Sequence, residues 1–309
     1  MSDNISPEES HKVEVDFPRG KITFEEFNLF FRLDRELRKG SFGEANQATY
    51  LPTGQPCVVK IIPKTTPDSR VTALHEAHVG MTVSSPHLCK TFAFSEDKRN
   101  VYIIMEYIEG MDLYDFIVKK PGIFQKVPIL FFFVIAKILR GILDLHKAGF
   151  VHCDIKPENI LIGLPKDQSK IICVKIIDFG LCKSISDIEG YSAGTIGYQA
   201  PEIAKNAPRY ARIDIWSFGI TLYAMMMMGL PPQITSKNPD IALRRLEVLQ
   251  NLRSLPDDEV FNPFEGISTN PKIAMIQELV ILCLTVNPTS RPTSQELLQK
   301  IREISPHFQ

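Results

Sequence analysis

The six cysteines of this 309-residue chain form no CxxC pair; they stand singly at 57, 89, 153, 173, 182 and 283. That scatter argues against zinc or redox clusters and favours reduced thiols in a cytosol-like compartment. Charge of one sign is also lacking. A net charge of −1 gives no overall pull toward nucleic acid or an anionic membrane. The opening MSDNISPEESHKVEVD is acidic and polar, without the apolar core of a secretory signal. No internal repeat or low-complexity tract occurs. Residues 215–230 (IWSFGITLYAMMMMGL) carry no charge, but the run is short for a membrane span. It reads as a helix buried all round, with the methionines at 225–228 as packing material. A hydrophobic content of 44% and a charged content of 23% are those of a soluble globular chain of one or two domains.

The patterning changes along the chain. Residues 1 to about 24 hold few apolar residues and read as a tail. Residues 25–108 favour short strands, at 57–62 and 101–106, with one helix at 71–81. Residues 109–309 favour helices, at 128–146, 214–228, 242–252, 271–284 and 293–304, plus two short strands at 160–162 and 174–177. A β-rich part followed by a helical part predicts an α+β fold of two lobes, with a ligand cleft at their boundary.

The densest chemistry lies in His152-Cys153-Asp154-Ile155-Lys156-Pro157-Glu158-Asn159 and Asp178-Phe179-Gly180. Asp154 can accept a hydroxyl proton, and Lys156 can neutralise a moving phosphoryl group. Asn159 and Asp178 offer hard oxygens to a Mg²⁺ that bridges phosphates. The array resembles the catalytic loop and DFG metal loop of eukaryotic-type serine/threonine protein kinases. The resemblance covers about residues 33 to 304 and implies a bilobal kinase fold, ATP, and Mg²⁺ (or Mn²⁺).

Further landmarks fall in the family's order. Leu37 to Ala45 resembles the Gly-rich loop, with Gly40, Ser41, Phe42 and Gly43 over the phosphates. Arg38 replaces its first glycine, and Ala45 the usual valine above adenine. Taken alone, GSFG also describes a hairpin turn. The resemblance assigns Lys60 to the α- and β-phosphates and Glu76 as its partner on the 71–81 helix. His75 and His78 read as surface or, at most, regulatory residues. Gly80 falls where relatives carry an apolar packing residue, which predicts a mobile helix, set by an activating partner. Met105 is the expected gatekeeper, and the backbone of Glu106 and Ile108 faces adenine. The resemblance also implies that Asp112 reaches the ribose or a basic substrate residue and that Val58 and Leu161 line the nucleotide site.

His152 and Phe179 are expected to pack rather than move protons. Thr195, in a GTxxYxAPE-like stretch, is expected on Asp154 and Lys156. Glu202 and Arg291 match a buried ion pair, and Asp214 a brace for the catalytic loop. Cys153 replaces the arginine that grips an activating phosphate. Phosphorylation at Ser184, Ser186, Tyr191 or Ser192 is therefore not expected to be the main switch. Glu158 and Asp112 hint at basic residues upstream of the target hydroxyl. The implied activity is transfer of the ATP γ-phosphoryl to protein Ser/Thr, with a scaffold of the same fold as the alternative. Expected partners are protein substrates, with no nucleic acid and no membrane span. The expected location is cytoplasmic, with the nucleus left open.

Overall fold

The computed structural model describes residues 17–40, 43–167, 170–190, 193–208, 210–238, 240–257 and 259–304. Its first lobe comprises β1 (Gly20–Lys21), α1 (Phe24–Phe30), β2 (Phe31–Gly40), β3 (Gly43–Tyr50), β4 (Gln55–Pro63), α2 (Pro67–Thr82), β5 (Thr91–Glu96) and β6 (Asn100–Glu106). One six-stranded sheet runs in the order β1-β5-β6-β4-β3-β2 and is antiparallel except where β1 lies parallel to β5.

The two-residue period of a strand decides what each face of this sheet does. Val101 and Ile103 of β6 join Ile62, Ala73 and Ala77 beneath α2. Tyr102 and Ile104 point the other way, into a cluster with Cys57, Val59 and Tyr50. On β4 the same alternation puts Lys60 on the side of Ile62, toward α2. That helix starts in a capping box, Thr66 and Ser69 each satisfying the other's backbone N–H, with Pro67 in its first turn.

The tail expected up to residue 24 ends earlier. Phe17 and Ile22 are buried, Phe17 stacks on Phe92 at 4.2 Å, and Phe24 and Phe27 pack against Tyr102. Residues 17–23 thus cover the sheet's second face. Only two large apolar groups in a polar run achieve this, because each is an anchor whose pocket is supplied by distant strands.

The second lobe holds β7 (Gly110–Asp112), α3 (Leu113–Lys119), α4 (Ile123–Lys126), α5 (Pro128–Lys147), β8 (Phe150–Val151), β9 (Ile160–Gly163), β10 (Cys173–Ile176), β11 (Lys183–Ser184), α6 (Pro201–Lys205), α7 (Ile213–Met227), α8 (Ile241–Arg253), α9 (Pro271–Cys283) and α10 (Ser294–Ile304). α5 and α7 run through its core, and every residue of α7 from 213 to 226 is buried. The methionine run is only half packing material. Met225 and Met226 are buried, whereas Met227 and Met228 are exposed where the helix ends with Met228 in the left-handed conformation. Among the described residues no helix is long and apolar enough to cross a membrane. Strands β7, β9 and β10 form a small sheet below the junction of the lobes, and β8 pairs with β11. These pairs carry the loops 152–159 and 177–182 to the same edge of the lobe boundary.

Candidate active site

A cleft of about 570 Å³ opens between the lobes. Leu37, Gly40, Gly43, Ala45 and Val58 line its upper side, Met105, Glu106 and Ile108 its back, and Asp112 and Leu161 its lower side. Ser41 and Phe42 lie outside the described residues; β2 and β3 close on each other at Gly40 and Gly43 on either side of them. The Glu106 carboxylate turns away from the cleft, accepting from the Lys90 N–H and from Lys175 Nζ, both at 2.6 Å. Asp112 caps α3 through the Asp115 N–H at 2.8 Å, and its other oxygen meets Arg38 Nη1 at 3.3 Å. Arg38 thus spans the mouth of the cleft.

Within the cleft, Lys60 Nζ lies 2.7 and 2.9 Å from the two Glu76 oxygens and 2.9 Å from Asp178 Oδ1. Burial disfavours the ammonium, but the carboxylates of Glu76 and Asp178 outweigh it and raise the Lys60 pKa above its ordinary value. Burial, opposed by the doubly bonded ammonium and joined by the neighbouring Asp178 carboxylate, raises the Glu76 pKa. For Asp178, burial acts upward, yet Lys60 prevails and its pKa is lowered. The lysine is therefore held charged at the place where α2, β4 and the 178–180 loop converge.

Gly80 leaves no gap in the packing of α2. A Cβ there would sit 2.1 Å from Thr91 Oγ1 and 3.3 Å from Phe179 Cδ2. Thr91 of β5 and Phe179 already fill the space that a larger side chain would take. His75, expected at the surface, is half-buried. Its Nε2 lies 2.9 Å from the Cys182 carbonyl, tying α2 to the segment after Gly180; His78 is exposed.

The loop beneath is held from inside the second lobe. Asp214, fully buried at the start of α7, accepts from the N–H groups of His152 at 2.8 Å and Cys153 at 2.9 Å and contacts His146 Nε2 at 2.9 Å. Cys153 and Asp178 both sit at φ +66°, a conformation costly for non-glycine residues and kept by these surrounding bonds. His152 Nδ1 accepts from the Asp154 N–H at 3.2 Å, so its Nε2 carries the hydrogen and donates to the Ile177 carbonyl at 3.1 Å. Both ring nitrogens are spoken for, and the ring packs edge-on to Phe179. That leaves no path for a proton relay.

Asp154 is buried to 7% exposure. One oxygen accepts from the Thr195 N–H at 2.8 Å and Oγ1 at 2.7 Å; the other accepts from Lys156 Nζ at 2.7 Å and Asn159 Nδ2 at 3.0 Å. Lys156 also reaches Thr195 Oγ1 at 2.5 Å. Asn159 donates again to the Asp154 carbonyl, which leaves its amide oxygen as the acceptor on the cleft. Among the described residues no group of three or more His, Cys, Asp and Glu could hold a metal alone. Asn159 and Asp178 on one cleft wall instead suit an ion whose remaining ligands are phosphate oxygens and water.

Farther out, Arg291 uses all five donors. It bonds Glu202 at 2.7 and 3.0 Å and the carbonyls of Thr285, Arg212 and Val286. Two contacts had no signal in spacing or pattern. One is the Arg38–Asp112 bridge. The other is Gln199, buried, with Nε2 on the carbonyls of Ala193 and Gly194. Of the four positions where phosphorylation is not expected to be the main switch, Tyr191 and Ser192 lie outside the described residues.

The lysine fixed by a glutamate, the aspartate and asparagine on the cleft wall, and the second aspartate held by a lysine and a threonine thus all line one cleft. Residues 31–301 match the protein kinase domain model, and the chain belongs to that family. Protein kinases use ATP with a divalent metal ion. The chain is 30% identical over 290 residues to the serine/threonine-protein kinase cds1 of Schizosaccharomyces pombe, covering 88% of this chain and 58% of that protein. It is 29% identical over 214 residues to the maternal embryonic leucine zipper kinase of Xenopus laevis, covering 67% and 32%. With the SNF1-related protein kinase catalytic subunit alpha KIN12 of Arabidopsis thaliana it shares 28% over 282 residues, 87% and 50%. The chain thus spans between about a third and three-fifths of the length of these curated relatives.

Proposed function

We propose that this chain is a serine/threonine protein kinase that moves the γ-phosphoryl group of Mg·ATP to hydroxyls of protein substrates. The observation that carries this is the setting of Asp154. Its carboxylate already accepts a threonine hydroxyl at 2.7 Å while Lys156 sits on its other oxygen at 2.7 Å. A substrate hydroxyl brought to the same carboxylate meets a base within proton-transfer reach. Lys156 neutralises charge on the moving phosphoryl group. Lys60, restrained by Glu76, would hold the α- and β-phosphates, and Asn159 and Asp178 would hold a divalent ion, which would supply charge neutralisation there. Mg²⁺ fits this donor set because it needs few protein ligands; Mn²⁺ is the natural substitute. Leu37, Ala45, Val58 and Leu161 enclose adenine against Met105, with the backbone at Glu106 and Ile108 along its edge.

Serine/threonine acceptors are favoured by the names of the relatives and by Lys156-Pro157-Glu158 beside Thr195. The proposed location is the cytoplasm, with the nucleus as alternative; in its support, no disulfide joins cysteines among the described residues, and five of the six thiols are buried. The test is phospho-amino-acid analysis of a protein substrate after incubation with γ-labelled ATP and Mg²⁺. Phosphoserine and phosphothreonine are expected. Label confined to phosphotyrosine, or transfer only to small molecules, overturns the reading.

A further inference from the structure

A segment that presents Thr195 to Asp154 must itself be held, and Cys153 offers no cation with which to hold a phosphorylated one. Burial raises the Cys153 thiol pKa, so the side chain is neutral. We infer that Gln199 is the positioning residue that fastens the 193–199 turn in place of a phosphate, leaving the unmodified chain ready for transfer. This rests on the kinase reading and names how its site is kept assembled.

The side chain of Gln199 is 6% exposed and runs back under its own turn. Its planar NH₂ has two hydrogens, and they meet two carbonyls: Ala193 at 3.0 Å and Gly194 at 3.1 Å. Those carbonyls immediately precede Thr195, whose N–H and hydroxyl both donate to Asp154 Oδ1. Gly194 lies against the catalytic loop at φ +104°, where a Cβ would stand 2.5 Å from the Cys153 carbonyl. The turn closes through the Tyr198 N–H to the Thr195 carbonyl at 3.0 Å. The Tyr198 carbonyl accepts from Ser217 Oγ of α7 at 2.7 Å. The segment is thus tied at its start to Gln199, at its middle to Asp154 and at its end to the lobe core.

Leucine at 199 has similar bulk but no donor and takes the amide from both carbonyls. Glutamate turns an acceptor toward them. In Gln199→Leu, kcat for a protein substrate should fall about tenfold, as expected when buried acceptors lose a donor and a reacting group drifts. The KM for ATP should stay within about twofold, since no nucleotide contact changes, and Gln199→Glu should lose at least as much. Wild type treated with phosphatase, and Ser184→Ala with Ser186→Ala, should keep their activity. A Gln199→Leu kcat within about twofold of wild type overturns the inference. So does loss of activity on phosphatase treatment; if Gln199→Leu does not fold, Gln199→Met, which also lacks the donor, is held to the same twofold limit. If wild type transfers no more label than Asp154→Asn, the kinase reading itself has failed.

Discussion

Gly80→Ala separates two accounts of the helix that carries Glu76. If Gly80 were merely a weak point of α2, alanine would stabilise the protein by about 1 kcal/mol through helix propensity. The structure gives the opposite sign. The added carbon would lie 2.1 Å from Thr91 Oγ1, 2.9 Å from Thr91 Cβ and 3.3 Å from Phe179 Cδ2. Rotation could move the hydroxyl, but the Cβ is fixed to β5, whose Thr91 pairs with Met105, and a β-branched side chain has little rotamer freedom. Overpacking of this kind costs about 1–3 kcal/mol, and the upper part applies where the backbone must yield. The net expectation is a loss of about 1–2 kcal/mol after the propensity gain. Urea unfolding should show a lower midpoint with an unchanged slope. Thr91→Ala in the same chain removes the nearer clash and should recover part of the loss, a coupling of about 1 kcal/mol. A Gly80→Ala protein more stable than wild type would refute the close-approach argument.

Other outcomes follow from the same geometry. Arg291→Ala strands the Glu202 carboxylate, 2% exposed, and should cost about 3–5 kcal/mol in thermal or urea unfolding. Replacing both partners by apolar residues of similar volume should recover much of that. Asp214→Asn keeps the shape but leaves one carbonyl oxygen for the two loop N–H groups, so kcat should fall about tenfold with little change in the KM for ATP. His87 gives a pH dependence. Burial, joined by Lys137, Arg140 and Lys175 and opposed by Asp144, holds its pKa down to about 4 against 6.5. The folded form resists protonation, so stability is complete above about pH 6.5 and declines as the pH falls toward 4. Denaturation midpoints of His87→Gln should lack that part of the slope.

The catalytic loops were legible because their chemistry needs particular residue types at short range: a base, a cation and two oxygen ligands within 152–180. The strand with Lys60 and the helix with Glu76 were legible from alternation and helical spacing, and the sheet then brings the two within 2.7 Å. Contacts set by distant elements were not. Gly80 looked like an omission because nothing in α2 says that Thr91 of β5 fills its place. Phe17 and Ile22 looked like a tail because their pocket belongs to Tyr50, Phe92 and Tyr102. Met227 and Met228 continue the apolar run although they are exposed, because hydropathy does not mark where α7 leaves the core. Gln199 has no pattern at all; its meaning lies in two carbonyls that only the folded turn presents.

Asp154→Asn tests the central claim most directly, measured for both Mg·ATP affinity and phosphate transfer to protein. The nucleotide is proposed to be held by other groups, so affinity should stay within about threefold while kcat falls by about 10²–10⁴. Equal transfer by mutant and wild type, or loss of binding and turnover together, would contradict the assignment of Asp154 as the base.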